Sequence, residues 1–185
     1  MELDDRTLID RVLNKGDEHA FAQLVKRYQS QLRYSLRQLT GWDEALADDL
    51  AQETFIKVYK SLHQFKGDAK FFTWVYRIAY NCFAAHYRSR KNEVALDEEM
   101  LQEEGFSPET EMDLHRDFAR ALKTFLPEQR MALHLFYQRQ LSHSEIAEVM
   151  ECPLGTVKSH ISRGQDKLKK QMKSWQQESN NGDPR

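Results

Sequence analysis

The feature that most constrains this chain is the stretch 92–113, which carries nine aspartates and glutamates and no lysine or arginine. The residues before it hold 15 basic and 12 acidic side chains, and those after it hold 12 and eight. Like charges repel, and Gly105, Pro108 and few large apolar residues leave this connector little surface to bury. The sequence therefore predicts two small domains joined by a flexible acidic linker. The predicted bounds are 1–91 for the first domain, 92–112 for the linker, 113–175 for the second domain and 176–185 for a frayed tail.

The composition limits the class of protein. No apolar run approaches the roughly 18 residues of a membrane span, and the acidic start MELDDRTLID lacks the apolar segment of a secretory signal. Two cysteines cannot build a disulfide framework. We expect a cytoplasmic protein with reduced thiols and no direct membrane insertion.

Both flanking blocks have helical periodicity, with apolar residues three and four positions apart and no alternating strand pattern. Helix starts are predicted at Asp17 and at Trp42-Asp43. Ser142 and Glu145 form a capping box, and Pro153 suits the first turn of the next helix. The sequence thus predicts an all-α protein whose C-terminal domain is a helix-turn-helix domain.

The helix-turn-helix prediction rests on a short helix over 142–150, a break at 151–153 and a longer helix from about Leu154 to Lys173. In this motif the second helix lies in the DNA major groove. A helical wheel predicts an inward face made of Val157, Ile161, Gly164 and Leu168.

The outer face and flanks of that second helix carry hydroxyl groups, a histidine and basic groups, which suit contacts to base edges and phosphates. A charged face is also what any solvent-exposed helix has, but the capping box, the break and the proline favour DNA binding. Cys152 has no paired metal ligands near it, and we expect neither a metal nor a cofactor. The candidate DNA contacts are Thr156, Lys158, Ser159, His160, Ser162, Arg163 and Lys167.

Residues 55–87 hold ten of the chain's 20 aromatic residues. Most of these rings are predicted to be core, on a helix from about Lys70 to Lys91. A narrow strip of the same helix interleaves basic side chains with Tyr, Asn and Trp, which suits unpaired bases. The preceding loop, 63–69, could hold a base rotated out of its stack. The apolar arc is predicted to centre on Phe71, Val75, Ile78, Cys82 and Ala85, with Phe72, Tyr76, Ala79 and Phe83 beside it. The strip comprises Lys70, Thr73, Arg77, Tyr80, Asn81, Arg88 and Lys91, with Trp74 at its border.

A third helix, predicted from Asp48 to Leu62, places Ile56 on a charged outer face. A single exposed isoleucine needs no explanation, yet an apolar anchor ringed by polar groups is also how a protein interface is composed. The wheel leaves both interpretations open. The buried side is predicted to hold Leu50, Ala51, Phe55, Val58 and Leu62, and the outer face Asp49, Gln52, Glu53, Ile56, Lys57 and Lys60.

Three segments together resemble the extracytoplasmic-function sigma factors of the sigma-70 family, of the sigma-E-like kind. They read DDLAQETFIKVYKSLHQFKG, FFTWVYRIAYN and LPEQRMALHLFYQRQLSHSEIAEVMECPLGTVKSHISRGQDKLKK. The resemblance covers almost all of residues 8–172, in the same order and spacing. It implies that the first domain is sigma region 2 and the second is sigma region 4.

The resemblance also implies roles and partners. The partners would be core RNA polymerase, through its β′ clamp and β flap, promoter DNA, and an anti-sigma factor. The acidic linker would thread through polymerase channels. The implied polymerase-binding residues are Asp49, Gln52, Glu53, Ile56, Lys57 and Lys60. The residues implied to read and melt the −10 element are Phe65, Lys66, Gly67, Asp68, Lys70, Trp74, Arg77, Tyr80, Asn81 and Arg88. Those implied to read the −35 element are Thr156, Lys158, Ser159, His160, Ser162, Arg163 and Lys167.

The chain departs from the family pattern at several of these positions. Relatives often carry Arg in place of His160, Ala-Arg in place of Gly164-Gln165, Asp near His86 and Arg near Tyr80. The −35 sequence of relatives should therefore not be transferred to this chain.

The sequence leaves three functions to distinguish. The first is a promoter-specificity subunit of RNA polymerase without catalytic activity. The second is a helix-turn-helix regulator that acts without polymerase, which would need a dimer interface or sensor domain. The third, an enzyme, lacks sequence support, because no HExxH, P-loop, GxSxG or paired Cys/His set is present.

Overall fold

A computed structural model describes residues 3–96 and 125–181, with side chains for 3–90, 125–171 and 173. Every regular element in these ranges is helical, which confirms the predicted all-α fold. The acidic linker lies outside the described residues apart from 92–96, and so does the end of the tail. The helices are α1 (Asp5–Lys15), α2 (Glu18–Leu39), α3 (Glu44–Ser61), a 3-10 turn (Leu62–Gln64), α4 (Phe71–Leu96), α5 (Pro127–Tyr137), α6 (His143–Met150) and α7 (Leu154–Asn181).

The predicted helix starts are confirmed by their capping bonds. The Asp17 carboxylate accepts from the Ala20 N–H, and the Asp43 carboxylate accepts from the Leu46 N–H. Both bonds of the Ser142 capping box are present. Pro153 differs slightly from the prediction, because its carbonyl accepts the first intrahelical bonds of α7 and so caps the helix instead of entering its first turn.

The first domain is a bundle in which α2 packs on α1 and α3, and α3 packs on α4. Its interior is apolar, with Leu8, Leu24, Leu36, Val58 and Phe83 fully buried. At about 1.5–3 kcal/mol for each large side chain, such burial is the main stabilising term. The bundle leaves the outer faces of α3 and α4 on its surface.

The buried side of α4 differs from the wheel's prediction. Phe71, Val75 and Cys82 are buried as predicted, but Ala85, predicted at the centre of the apolar arc, is exposed, and Ile78 is only half-buried. Tyr76 and Phe83, predicted beside that centre, are fully buried, and so is Ala84, which the wheel does not predict. The arc is rotated toward these residues because α5 and α6 of the second domain pack against α4. A wheel of one isolated helix contains no information on that neighbour.

Two helices also extend further than the sequence predicts. Helix α4 runs to Leu96 instead of ending at Lys91, and α7 runs to Asn181 instead of ending at Lys173. Both extra segments are rich in good helix formers such as Glu, Ala, Leu, Lys and Gln. The start of the predicted linker and most of the predicted tail are therefore helical.

The second domain packs α5 and α6 against the predicted inward face of α7. Val157, Ile161 and Gly164 are buried and Leu168 is half-buried, which confirms that face. A Cβ added at Gly164 would lie 2.7 Å from Cδ1 of Leu133. The helices α5 and α7 approach this closely only because position 164 has no side chain.

This close approach predicts that Gly164→Ala destabilises the second domain. Better helix propensity favours alanine by about 1 kcal/mol, but overpacking costs about 1–3 kcal/mol, so we expect a net loss of about 1 kcal/mol in thermal unfolding. In a Leu133→Ala background the clash is absent, and the same substitution should stabilise the protein. Equal effects in both backgrounds would show that Leu133 is not the cause.

Candidate functional site

The predicted DNA contacts on α7 differ in how far their side chains are exposed to solvent. Lys158, Ser162 and Arg163 are exposed. The other four predicted residues, Thr156, Ser159, His160 and Lys167, are half-buried.

For two of these half-buried residues, His160 and Lys167, the surroundings affect the charge or its contacts. Burial lowers the pKa of His160, so its imidazole is neutral at pH 7. A neutral imidazole reads bases by hydrogen bonding and adds no charge. The Lys167 ammonium lies 4.7 Å from the centroid of the Phe125 ring, a cation–π contact within the second domain. Within 156–170, the exposed positive charges on the outer face and flanks of α7 are Lys158, Arg163, Lys169 and Lys170.

A second candidate surface joins the loop before α4 to the first turns of that helix. The Phe65 ring lies 5.4 Å from both Phe71 and Trp74, which fixes one side of the loop. Gly67 has φ +81°, a left-handed conformation that glycine adopts without strain. Of the residues predicted here, Lys66, Gly67, Asp68, Lys70, Arg77, Asn81 and Arg88 are exposed, and Phe65, Trp74 and Tyr80 are half-buried.

The loop and α4 line one side of a cavity of about 720 Å³, and α6 of the second domain lines the other. Ala147 and Glu148 of α6 lie on its wall, together with Glu151, the residue that caps the C-terminus of α6. The Glu151 carboxylate accepts hydrogen bonds from the Arg77 guanidinium and, at 3.3 Å, from the Asn81 amide. Sequence reasoning missed this contact, because the two partners are 70 and more positions apart and nothing local signals their pairing.

A buried arginine makes the second contact between the domains. Arg130 of α5 donates to the Leu39 carbonyl at 2.5 Å and to the Tyr87 hydroxyl at 3.1 Å. It also donates to the Phe125 carbonyl at 3.2 Å, and its guanidinium lies 4.9 Å from the Tyr87 ring centroid. Arg130 is only 2% exposed. These hydrogen-bond partners therefore replace the water that a buried charge lacks.

His134 is buried one helical turn further along α5, with its ring centroid 6.5 Å from that of Tyr76. Its Nε2 has no hydrogen-bond partner among the described residues. Burial and the nearby Arg139 guanidinium lower the pKa of His134 to about 3. The guanidinium of Arg139 lies over the Phe72 and Tyr76 rings, at 5.3 and 5.4 Å from their centroids.

The third candidate surface is the outer face of α3, where all six predicted residues, Asp49, Gln52, Glu53, Ile56, Lys57 and Lys60, are exposed. Ile56 is 48% exposed, and the neighbouring Tyr59, which the sequence did not single out, is 44% exposed. The Tyr59 ring packs edge-on against Phe21 of α2 at 4.8 Å. Together α2 and α3 form a groove of about 540 Å³ with an apolar floor and charged rims.

The chain was compared with known families and proteins. Sigma-70 region 2 matches residues 24–93, and Sigma-70, region 4 matches residues 115–168. The ECF RNA polymerase sigma-E factor of Haemophilus influenzae is 33% identical over 182 residues, which cover 90% of this chain and 94% of the relative. The ECF RNA polymerase sigma-E factor of Escherichia coli K12 is 33% identical over 181 residues, which cover 90% of this chain and 93% of the relative. The chain belongs to the extracytoplasmic-function sigma factors of the sigma-70 family.

Two solved structures resemble this sigma factor over most of its length. The sigma factor RpoE of Bartonella quintana, solved with the anti-sigma factor NepR, has a TM-score of 0.67 and 28% identity, covering 83% of this chain and 96% of that one. CnrH, solved with the cytosolic domain of CnrY, has a TM-score of 0.66 and 25% identity, covering 92% and 97%. These matches confirm the fold and the family resemblance found in the sequence.

The family assignment decides between the functions weighed above. A sigma factor directs RNA polymerase to promoters, so this chain acts in transcription initiation. Both sigma regions are present in order, which favours a polymerase subunit over an independent helix-turn-helix regulator. The relatives are sigma factors and no enzyme family is among them. Among the described residues, no helix has the length and apolarity needed to cross a membrane.

The buried His134 predicts an acid-sensitive fold. Its pKa is depressed from 6.5 to about 3, so the unfolded protein binds a proton more readily than the folded one. The neutral side chain's contribution to stability is therefore complete above about pH 6.5 and is lost as the pH falls toward 3. Between pH 7.5 and 5.0, His134→Leu should lose about 2 kcal/mol less unfolding free energy than the wild type, measured by urea denaturation. Parallel pH profiles for the two proteins would contradict this.

Proposed function

We propose that this sigma factor uses three separate surfaces to start transcription. Helix α3 binds core RNA polymerase, the loop before α4 and the strip on α4 read and melt the −10 element, and the outer face of α7 reads the −35 element. The observation that carries the proposal is that most of the proposed contact residues are exposed, on helices whose opposite side is core or on the loop before α4. We propose further that the factor has no catalytic activity and acts in the cytoplasm.

In domain terms we propose that residues 1–91 form the region 2 unit and 113–175 the region 4 unit, with the acidic linker, 92–112, between them. The first unit would then carry the polymerase and −10 surfaces, and the second the −35 surface. The division follows the charge pattern, since the linker has no basic residue to neutralise its carboxylates.

The polymerase assignment rests on α3. Ile56 and Tyr59 give its outer face an apolar centre, and charged residues surround them. This is the composition of a protein interface, with an apolar centre and a polar rim. The proposed contacts are Asp49, Gln52, Glu53, Ile56, Lys57 and Lys60.

The −10 assignment rests on aromatic and basic groups beside a polar loop. Rings can stack on unpaired bases while Arg and Lys hold the backbone, and the cavity beside the loop has room for a base taken out of the helix. The proposed contacts are Phe65, Lys66, Gly67, Asp68, Lys70, Trp74, Arg77, Tyr80, Asn81 and Arg88.

The −35 assignment rests on α7 as the second helix of a helix-turn-helix. The Ser142 capping box starts α6 and the αL residue Glu151 ends it. Helix α7 then begins at Leu154, which is the short break that the motif needs. Arg163 is the side chain best placed to give a bidentate contact to a guanine. The proposed contacts are Thr156, Lys158, Ser159, His160, Ser162, Arg163 and Lys167.

We propose an anti-sigma factor as a further partner. RpoE of Bartonella quintana was solved in complex with the anti-sigma factor NepR, and CnrH with the cytosolic domain of CnrY. This chain shares the fold of both sigma factors over most of its length. Copurification from the native host with a tagged copy of this chain tests the proposal.

Replacing Ile56 by Glu tests the polymerase surface. The substitution places a charge at the apolar centre of the proposed interface, and we expect core polymerase affinity to fall by about 1–3 kcal/mol. The fold should be unaffected, because Ile56 is half exposed. Leu13→Glu is the matched control, since Leu13 is 45% exposed on α1, outside this face. Equal losses for the two variants, or none for Ile56→Glu, would remove α3 from the interface.

Arg163→Ala tests the −35 surface. We expect holoenzyme to lose about 1–3 kcal/mol of affinity for a promoter that it transcribes, with no large change in melting temperature. Lys173→Ala removes an exposed charge further along the same helix and should cost less. Val157→Asp, by contrast, should unfold the second domain, because it buries an unpaired charge. If Arg163→Ala leaves promoter affinity unchanged, α7 does not read DNA through this residue.

A further inference from the structure

We propose that Tyr28 of α2 is a positioning residue for −10 recognition. Helix α1 holds its hydroxyl, and its ring supports the aromatic residues that fix the loop before α4. Tyr28 acts through these neighbours and not by touching DNA. The inference rests on the −10 function proposed above for that loop, and the two fail in different experiments.

The first step is the anchor on α1. The Asp5 carboxylate accepts hydrogen bonds from the Tyr28 hydroxyl and from the Arg27 guanidinium. Arg27 also donates to the Leu3 carbonyl at 2.6 Å. Burial and the Asp5 carboxylate raise the pKa of Tyr28 to about 12, so the hydroxyl keeps its proton and remains a donor at pH 7. Two neighbouring residues of α2 thus fix the start of α1, and α1 in turn fixes the end of the Tyr28 side chain.

The second step is a continuous series of rings from Tyr28 to the loop. The Tyr28 ring is stacked on Phe72, with 4.8 Å between centroids, and lies 5.8 Å from Phe71. The Phe71 ring in turn lies 5.4 Å from Phe65 and 5.9 Å from Trp74, two of the proposed −10 contacts. Phe71 is only 4% exposed. Because a close-packed interior transmits displacements, loss of the Tyr28 ring should shift Phe71 and the rings beyond it.

Helix α1 also supports the start of the loop. It contacts the 3-10 turn, Leu62–Gln64, which immediately precedes Phe65. Lys66, Gly67 and Asp68 at the tip of the loop are exposed. Such a tip buries little surface, so its position depends on how firmly its two ends are held. Tyr28 and α1 together act on both ends.

Hydrogen exchange tests whether Tyr28 orders the loop. The Phe65 amide donates to the Leu62 carbonyl at 3.1 Å, and the Trp74 amide donates to the Lys70 carbonyl at 3.2 Å, so each end of the loop has an amide whose exchange can be followed. In the full-length protein free of polymerase, Tyr28→Leu should make both amides exchange about fivefold faster than in the wild type. Tyr28→Phe keeps the ring and should lose less protection.

Tyr34→Leu is the matched control, since Tyr34 lies on the same helix, is 49% exposed and packs its ring against Trp42 instead. We expect this variant to leave exchange at the loop unchanged. Three results would each overturn the proposal: unchanged exchange in Tyr28→Leu, equal losses in Tyr28→Phe and Tyr28→Leu, or an equal effect of Tyr34→Leu.

Binding of promoter DNA tests whether this order serves −10 recognition. The probe is a fork with a single-stranded −10 segment, taken from a promoter that the holoenzyme transcribes. Holoenzyme carrying Tyr28→Leu should bind the fork about fivefold more weakly than the wild type. The affinity of the variant for core polymerase, and that of its holoenzyme for a duplex carrying only the −35 element, should not change. An equal loss of core polymerase affinity would show a general structural role and overturn the proposal.

A double substitution tests the route through the rings. In a Phe65→Ala background, Tyr28→Leu should weaken fork binding much less than it does alone, because Tyr28 acts through the loop that Phe65 holds. Additive losses would contradict this route and overturn the proposal.

Failure of the −10 function gives a different pattern. Phe65→Ala alone would then leave fork binding unchanged, and the role of Tyr28 in promoter recognition would fall with it. If Phe65→Ala weakens fork binding and Tyr28→Leu does not, the −10 function stands and only the positioning role is wrong.

Discussion

The buried guanidinium of Arg130 determines how the two halves of the described structure meet. A charge that is 2% exposed is costly unless it is hydrogen-bonded, and its bonding partners come from both domains: the Leu39 carbonyl and Tyr87 hydroxyl of the first and the Phe125 carbonyl of the second. Because these partners are fixed in position, α5 can lie against the first domain in few ways. In that placement Arg130 lies over the Phe83 ring and His134 lies beside the Tyr76 ring, while Arg77 and Asn81 stay exposed.

The same contact decides what the candidate DNA surfaces face. With α5 in this position, α6 lies against α4 and lines one side of the cavity beside the loop before α4. The outer face of α7 points away from this contact, and its Lys158 and Arg163 are exposed.

The candidate DNA face of α7 combines a neutral-leaning histidine with several charged groups. Burial lowers the pKa of His160, and the Lys167 ammonium lies over the Phe125 ring. Lys158, Arg163, Lys169 and Lys170 are exposed. Each phosphate contact that such a charge makes would release counterions and steepen the salt dependence of binding.

The sequence alone determined the all-α class, the caps at Asp17, Asp43 and Ser142, the inward face of α7 and the family, because each depends on local spacing or on motifs contiguous in the chain. It also placed the exposed face of α3 correctly, since one side of that helix is plainly apolar. Only the tertiary structure decided the burial of Ala84 and the exposure of Ala85 on α4, the role of Arg130 and the pairing of Glu151 with Arg77. Those depend on which domain packs against which helix, and contacts between residues 70 or more positions apart leave no periodic trace in the chain.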